Sequence, residues 1–446
     1  MEFLERVFHL RERGTTVGIE VVGGVTTFMA LSYIVFVQPA MLSAAGMPQG
    51  GVLFATCVGS AIACVMMGLL ANYPIALAPG MGHNAFFTFT VCIALRFTWQ
   101  QALAAVFIDG VLFILLSLLA FRAKIMDVIP DGLKRAIAAG IGLFIALIGF
   151  EYAGLVVSSP ATFIQLGSVH NRYTLLALFG LAVTVVLLAR GVRGAILYGI
   201  VATTIAGCLV TALGTDLLDY THLARLSDLK PSSTFLQMDF AGLLARPQWL
   251  TVVLIFLFLD VFDTVGTLTG VSERAGLLVD GRLPKAQWAF LSDAVGTVAG
   301  AALGTSTITS YIESAAGVQA GARTGLAAVT TGFCLVLAIL AYPFLGVVAR
   351  PVGANLYPVI APALIVVGSM MLASVAKLDW EDPTELIPAF LTLTVIPFGF
   401  NITDGIAVGF ISYSLLKAVS GRWREVHWGF HLLSLALLLR YVFLVN

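Results

Sequence analysis

Six carboxylates stand inside otherwise apolar stretches: Asp109, Glu151, Asp260, Asp263, Asp293 and Glu313. At the centre of a bilayer each would cost roughly 2.5–3.5 kcal/mol on insertion scales, so each is a candidate functional group. Asp260 and Asp263 occur in VLIFLFLDVFDTVGTLTG (253–270). Their spacing puts both on one helical face, which Thr264, Thr267 and Gly270 continue. Two carboxylates this close resist ionising together, so the pair could hold a proton near neutrality as well as bind a ligand. A hydrogen-bonded clamp between helices is the plainer alternative. Glu313, in YIESAAG, has no basic neighbour in its own segment, and Ser310, Ser314 and Gly317 share its face at helical spacing. It needs a proton or a ligand donor. Asp109, Glu151 and Asp293 have no motif around them; helix pairing and a secondary proton path both stay open.

Asn84 lies in YPIALAPGMGHNAFFTF (73–89), between His83 and Phe86. Its amide offers donors and an acceptor, and Phe86 could stack on a planar ring. Backbone near 82–84 and 305–309, Thr309 included, completes a candidate site of carboxylates, amides, hydroxyls and aromatic faces. No fixed cation lies in these segments, which argues against an inorganic anion. A neutral planar solute rich in N–H donors fits, and a nucleobase matches that description.

The elements that must position these groups are membrane helices. Of 446 residues, 59% are hydrophobic and 11% charged, with mean hydropathy +0.99. A soluble domain carries about 25% charged residues, so a soluble or disordered chain is excluded. The expectation is an all-α polytopic membrane protein. Apolar runs fall at 18–42, 51–71, 99–121, 134–156, 172–190 and 193–213, then at 248–270, 286–303, 325–349 and 355–376, with shorter ones at 386–400 and 402–418. Segments 73–95 and 304–321 are apolar but broken by Gly, Pro, Ser and Thr. With 426–445 either spanning or interfacial, the count is 14 or 15.

Basic residues set the orientation. With the N-terminus inside, Arg6, Arg11 and Arg13, then Arg122, Lys124, Lys134 and Arg135, then Arg190 and Arg193, then Arg274, Arg282 and Lys285, then Arg323, Lys377, and Lys417, Arg422 and Arg424 gather on the cytoplasmic side. The outer side keeps scattered Arg96, Arg172, Arg225, Lys230, Arg246 and Arg350. The charge balance, 24 basic against 24 acidic, gives no basic excess for nucleic acid. The five cysteines sit in apolar runs without metal-ligand spacing, so neither a disulfide framework nor a metal is expected.

The chain divides into a cytoplasmic N-terminus (1–17), a seven-helix repeat (18–213), an extracytoplasmic loop (214–247), a second seven-helix repeat (248–420) and a C-terminal hydrophobic helix (421–446). Seven is odd, so the copies insert with opposite topology. The third helix of each, which is the tenth overall in the second case, is the broken one. Paired broken helices at matching places in inverted repeats are the best sequence pointer to a transporter's substrate site. Lipid cannot satisfy the backbone groups that a break frees, so the break must line a protein cavity. The alternative is that Gly and Pro only permit close helix packing.

Four stretches carry a family resemblance: GIEVVGGVTTFMALSYIVFVQPAML, ALAPGMGHNAFFTF, LDVFDTVGTLTGV and TSYIESAAGVQAGARTGLAAV. They resemble the AzgA-like purine permeases among the nucleobase/cation symporters, over about residues 14 to 420. The resemblance implies uptake of hypoxanthine, guanine or adenine driven by protons. It implies a seven-plus-seven inverted-repeat fold with core and gate domains, a homodimer, elevator motion and a cell-membrane location. By position, Asn84 matches the polar residue of the first broken helix, Asp260 and Asp263 the acidic pair of the eighth helix, and Glu313 the acidic residue of the tenth. The eighth- and tenth-helix carboxylates would hold the purine, and Asp260, Asp263 or Glu313 would carry the proton. Many relatives carry Leu where His83 stands, which leaves the purine preference open. The rival readings are an anion transporter of the same architecture, for which Arg323 is the only nearby cation, an intramembrane protease and a channel. The protease reading is weakened because Asp260 and Asp263 share one helix.

Overall fold

The computed structural model describes residues 2–118, 129–218, 223–277, 283–353 and 356–443; Arg122, Lys124 and Arg282 of the basic clusters lie outside them. The first half runs α1 (Val17–Ser43), α2 (Gln49–Ala71), β1 (Leu77–Pro79), α3 (81–94), α4 (Trp99–Leu118), α5 (Asp131–Tyr152), α6 (Arg172–Ala189) and α7 (Ala195–Ala212). A short hairpin, β2 (Val156–Ser159) with β3 (Phe163–Leu166), joins α5 to α6. The second half runs α8 (Trp249–Arg274), α9 (Ala286–Leu303), β4 (Ile308–Ser310), α10 (Ser314–Gln319), α11 (Gly325–Val348), α12 (Ala361–Ala376), α13 (Pro383–Gly399) and α14 (Ile402–Val419). A terminal helix, α15 (Trp428–Phe443), follows and lies on α14, where Phe430 meets Phe410 at 4.8 Å between ring centroids.

Seven helical elements per half are present where the hydropathy pattern places them. Among the described residues nine helices are long and apolar enough to cross a membrane, while α12 and α13 are shorter. The protein is, among the described residues, all-α apart from two short strand pairs and one isolated bridge, Val352 with Leu356. Polar caps fix the helix starts: Thr16, Asn171, Thr324, Asp382 and Asn401 each accept a backbone N–H of the first turn.

Two bundles result. The core packs α1–α4 against α8–α11; the gate packs α5–α7 against α12–α14. Small residues set the spacing in both. A Cβ on Gly325 of α11 would lie 2.5 Å from the Cα of Gly68 on α2, and one on Gly142 of α5 would lie 2.8 Å from the Gly368 carbonyl on α12. Helices approach this closely in a membrane because nothing larger than hydrogen stands between the backbones.

The long central connection is folded against the core end. Leu236 donates its backbone N–H to the carbonyl of Ala302, Asp239 to that of Gln100, and the Thr234 hydroxyl to that of Leu303.

Candidate substrate-binding site

The two broken segments meet at the centre of the core. β1 and β4 pair antiparallel, Leu77 with Ser310, Ala78 with Thr309 and Pro79 with Ile308. The pairing extends past both ends, through Gly80 N–H to Thr307 C=O at 3.0 Å and Tyr311 N–H to Ala76 C=O at 2.9 Å. Side chains take up further backbone groups: Ala76 N–H reaches Ser314 Oγ at 3.0 Å, and Tyr311 Oη donates to Pro79 C=O at 2.6 Å. Unwound chain is thus satisfied inside protein, the condition a membrane imposes.

Asn84 is fully buried in α3 and accepts a hydrogen bond from the Ser306 hydroxyl. Gln38 of α1, also fully buried, donates to Thr305 Oγ1 at 2.9 Å and Ser306 Oγ at 3.1 Å. Thr264 and Thr309 stand 3.0 Å apart, hydroxyl to hydroxyl. Phe86 is packed in the core, edge-on to Phe256 at 4.7 Å. His83 is 2% exposed and neither ring nitrogen has a partner. A Cβ on Gly80 would meet both its Nδ1 and the methyl of Thr309, so the ring lies against the strand crossing.

The carboxylates sort into two groups. Asp263 is exposed and Glu313 half-buried; the two face each other electrostatically, and Tyr33 Oη donates to Glu313 Oε1 at 2.8 Å. Asp260, Asp293 and Asp109 are each 0% exposed. Asp293 Oδ2 accepts the Thr264 hydroxyl at 2.8 Å and both the N–H and hydroxyl of Ser310 at 2.9 Å. Asp260 accepts from the Thr297 hydroxyl at 3.3 Å and faces Asp293.

The single acidic stripe expected on α8 is therefore divided. Asp263 opens to the accessible side with Glu313, whereas Asp260 turns inward to α9. A step of three residues rotates by about 300°, leaving the pair about 60° apart, enough to fall on either side of a packing boundary. The residues around Glu313 divide likewise: Ser310 serves Asp293, Ser314 serves Ala76, and Gly317 packs on Gly23 and Thr27 of α1.

Glu151 is exposed at the end of α5, in the gate rather than among these groups. Sequence reasoning passed over Tyr33, Gln38 and Glu20. Glu20, 0% exposed, accepts the N–H groups of Arg323 and Thr324 at the start of α11. All five cysteines are free, and no metal-binding cluster occurs among the described residues.

A broken-helix crossing lined with acids and amides belongs to transporters. A family model described as the permease family matches residues 18–408. The chain belongs to that permease family. Its permease relatives include the guanine/hypoxanthine permease PbuG of Bacillus subtilis, 40% identical over 99% of this chain and 100% of the relative. The adenine permease AdeP of Escherichia coli is 39% identical over 99% of this chain and 96% of the relative. The relatives are transporters, and this permease is a transporter rather than an enzyme. In fold it is similar to the transmembrane domain of the cyanobacterial bicarbonate transporter BicA, with a TM-score of 0.65 at 16% identity over 86% of this chain and 96% of that one. The permease has the seven-plus-seven inverted-repeat fold of such transporters.

Proposed function

We propose that this permease imports a purine nucleobase (hypoxanthine, guanine or adenine) in symport with protons, its core bundle moving against the gate in an elevator cycle. The observation that carries the reading is the accessible pair Asp263 and Glu313 beside the strand crossing, in a chain whose full-length relatives include guanine/hypoxanthine and adenine permeases. Carboxylates accept hydrogen bonds, and purines present ring and exocyclic N–H donors to them. Asn84, Thr264 and Thr309, buried at or against the strand crossing, are the further amide and hydroxyl groups assigned to the purine, with Phe86 as the aromatic face. The protein works as a homodimer in the cell membrane with its N-terminus in the cytoplasm, the side on which the basic clusters gather.

An anion cargo is disfavoured by the state of Arg323. Its guanidinium Nη1 donates to the carbonyls of Val318 and Ala322, both at 2.7 Å, which ties the side chain to the backbone of its own loop. Uptake of radiolabelled purines by cells producing the wild type and Glu313→Gln tests the proposal. Saturable wild-type purine uptake, sharply reduced in the variant, is expected. Equal uptake and equal pH dependence would remove Glu313 from the mechanism, and absence of wild-type purine uptake would remove the purine.

A further inference from the structure

Behind the accessible pair lies an acid that the substrate reading leaves unused. Asp109 of α4 is 0% exposed, and neither of its oxygens has a hydrogen-bond donor in good geometry. The Thr307 hydroxyl stands beside it, also without a partner. Asp109 faces Asp293 of α9 and Asp260 of α8, and among the described residues no basic group enters its surroundings. The other elements packed on α4 are the short helix Phe240–Leu244 and the second half of α3 (Phe86–Ala94); between them their one titratable side chain is the Cys92 thiol.

The electrostatics of this trio are constrained. Buried carboxyl groups that face one another resist being charged together, and Asp260 faces both Asp293 and Asp109. Asp293 is suited to be the anion, with three donors on Oδ2. Asp109 has only the Thr307 hydroxyl beside it, against the three donors on Asp293, and a weakly supported buried charge in a membrane protein is costly. Its oxygens are best matched by a proton.

We propose that Asp109 is a proton-carrying residue of this permease, exchanging a proton with Asp293 in a site screened from the substrate. This rests on the proton-symport reading and gives it a place. When Asp293 takes the proton, its carboxyl becomes a poorer acceptor for Ser310 and Thr264, and Thr264 is bonded to Thr309 in the crossing strand. Proton occupancy is thereby transmitted to the substrate side without the purine and the proton sharing a carboxylate.

The experiment uses full-length protein in proteoliposomes with radiolabelled hypoxanthine, guanine and adenine. Counterflow needs no net proton movement, whereas accumulation under an imposed pH gradient does. For Asp109→Asn, counterflow within about twofold of wild type and accumulation at least tenfold lower are expected, with Asp109→Glu restoring accumulation at a displaced pH profile. Accumulation by Asp109→Asn equal to wild type overturns the proposal, as does wild-type accumulation driven by a sodium gradient instead. If Asp109→Asn loses counterflow too, Asp109→Glu decides: a displaced pH profile supports a proton role, and an unchanged profile or no recovery overturns it. Absence of wild-type counterflow with every purine sinks the function reading itself, a result distinct from failure of the Asp109 variants.

Discussion

Tyr33 holds Glu313 from across the inverted repeat: the phenol at the bend of α1 donates to Oε1 at 2.8 Å, over 280 positions of sequence. The carboxylate proposed to receive the substrate is aimed by the first half of the chain while belonging to the second. Removing the hydroxyl with Tyr33→Phe leaves the ring in place and frees Glu313 to rotate. A typical hydrogen bond contributes about 0.5–1.5 kcal/mol, so KM for purine is expected to rise roughly 2- to 10-fold with little change in maximal rate. Initial-rate uptake over a concentration series measures both.

His83 presents two unpartnered nitrogens in a site only 2% exposed. An orphaned buried polar group costs about 1–3 kcal/mol, and a leucine of similar volume removes it. His83→Leu is expected to raise Tm of the ligand-free protein. If the imidazole bonds to the purine, the same substitution lowers the additional Tm shift that hypoxanthine or adenine produces. Thermal unfolding in detergent, with and without each base, reads the two effects separately. A fall in Tm without ligand contradicts the prediction.

The contact of Gly68 with Gly325 locks α2 to α11. A methyl group on Gly325 would meet the Gly68 Cα at 2.5 Å and its carbonyl carbon at 2.6 Å, so backbone must move. Gly325→Ala is expected to destabilise the core by about 1–3 kcal/mol or more, visible as reduced Tm and reduced uptake. Gly18→Ala is the control, because nothing lies within 4 Å of its Cβ position.

Acid sensitivity is expected from the gate. The Thr384 backbone N–H and then the Arg422 guanidinium hold Asp382 down from its ordinary 3.8 to about 2. Arg422 likewise lowers Glu425, and Lys417, 2% exposed, lies 3.0 Å from Glu385 and 3.3 Å from Glu425. A carboxyl whose folded value is depressed contributes stability that is complete above its unfolded value and lost as pH falls through the folded one. Stability should therefore decline between about pH 4 and pH 2, and Asp382→Asn should start lower and decline less steeply. Tm against pH for the two proteins tests this.

The fold was legible because membrane burial writes itself into composition. Six unbroken apolar runs per half and the broken segments at 73–95 and 304–321 correspond to α1–α14 and to the crossing of β1 with β4. Asp260, Asp263 and Glu313 stood out because charge is scarce in such runs. The division of the α8 acids was not legible, since a 60° offset decides it and the boundary is drawn by α9. Tyr33, Gln38 and Glu20 gave no local signal: their partners lie 280, 267 and 303 positions away. Asp293 was visible as a membrane acid, but its three donors come from α8 and β4, which only the folded chain brings to it.

The crossing of β1 with β4 also imposes a timetable. Ala76 waits for Ser314, 238 positions later. A ribosome adding about 5–20 residues per second needs roughly 10–50 s to supply that partner. Until then the unwound backbone at 76–80 has no strand to pair with, and lipid offers none. The first broken helix must therefore complete its pairing only after the second has emerged, which makes the candidate substrate site a late-assembling part of the core.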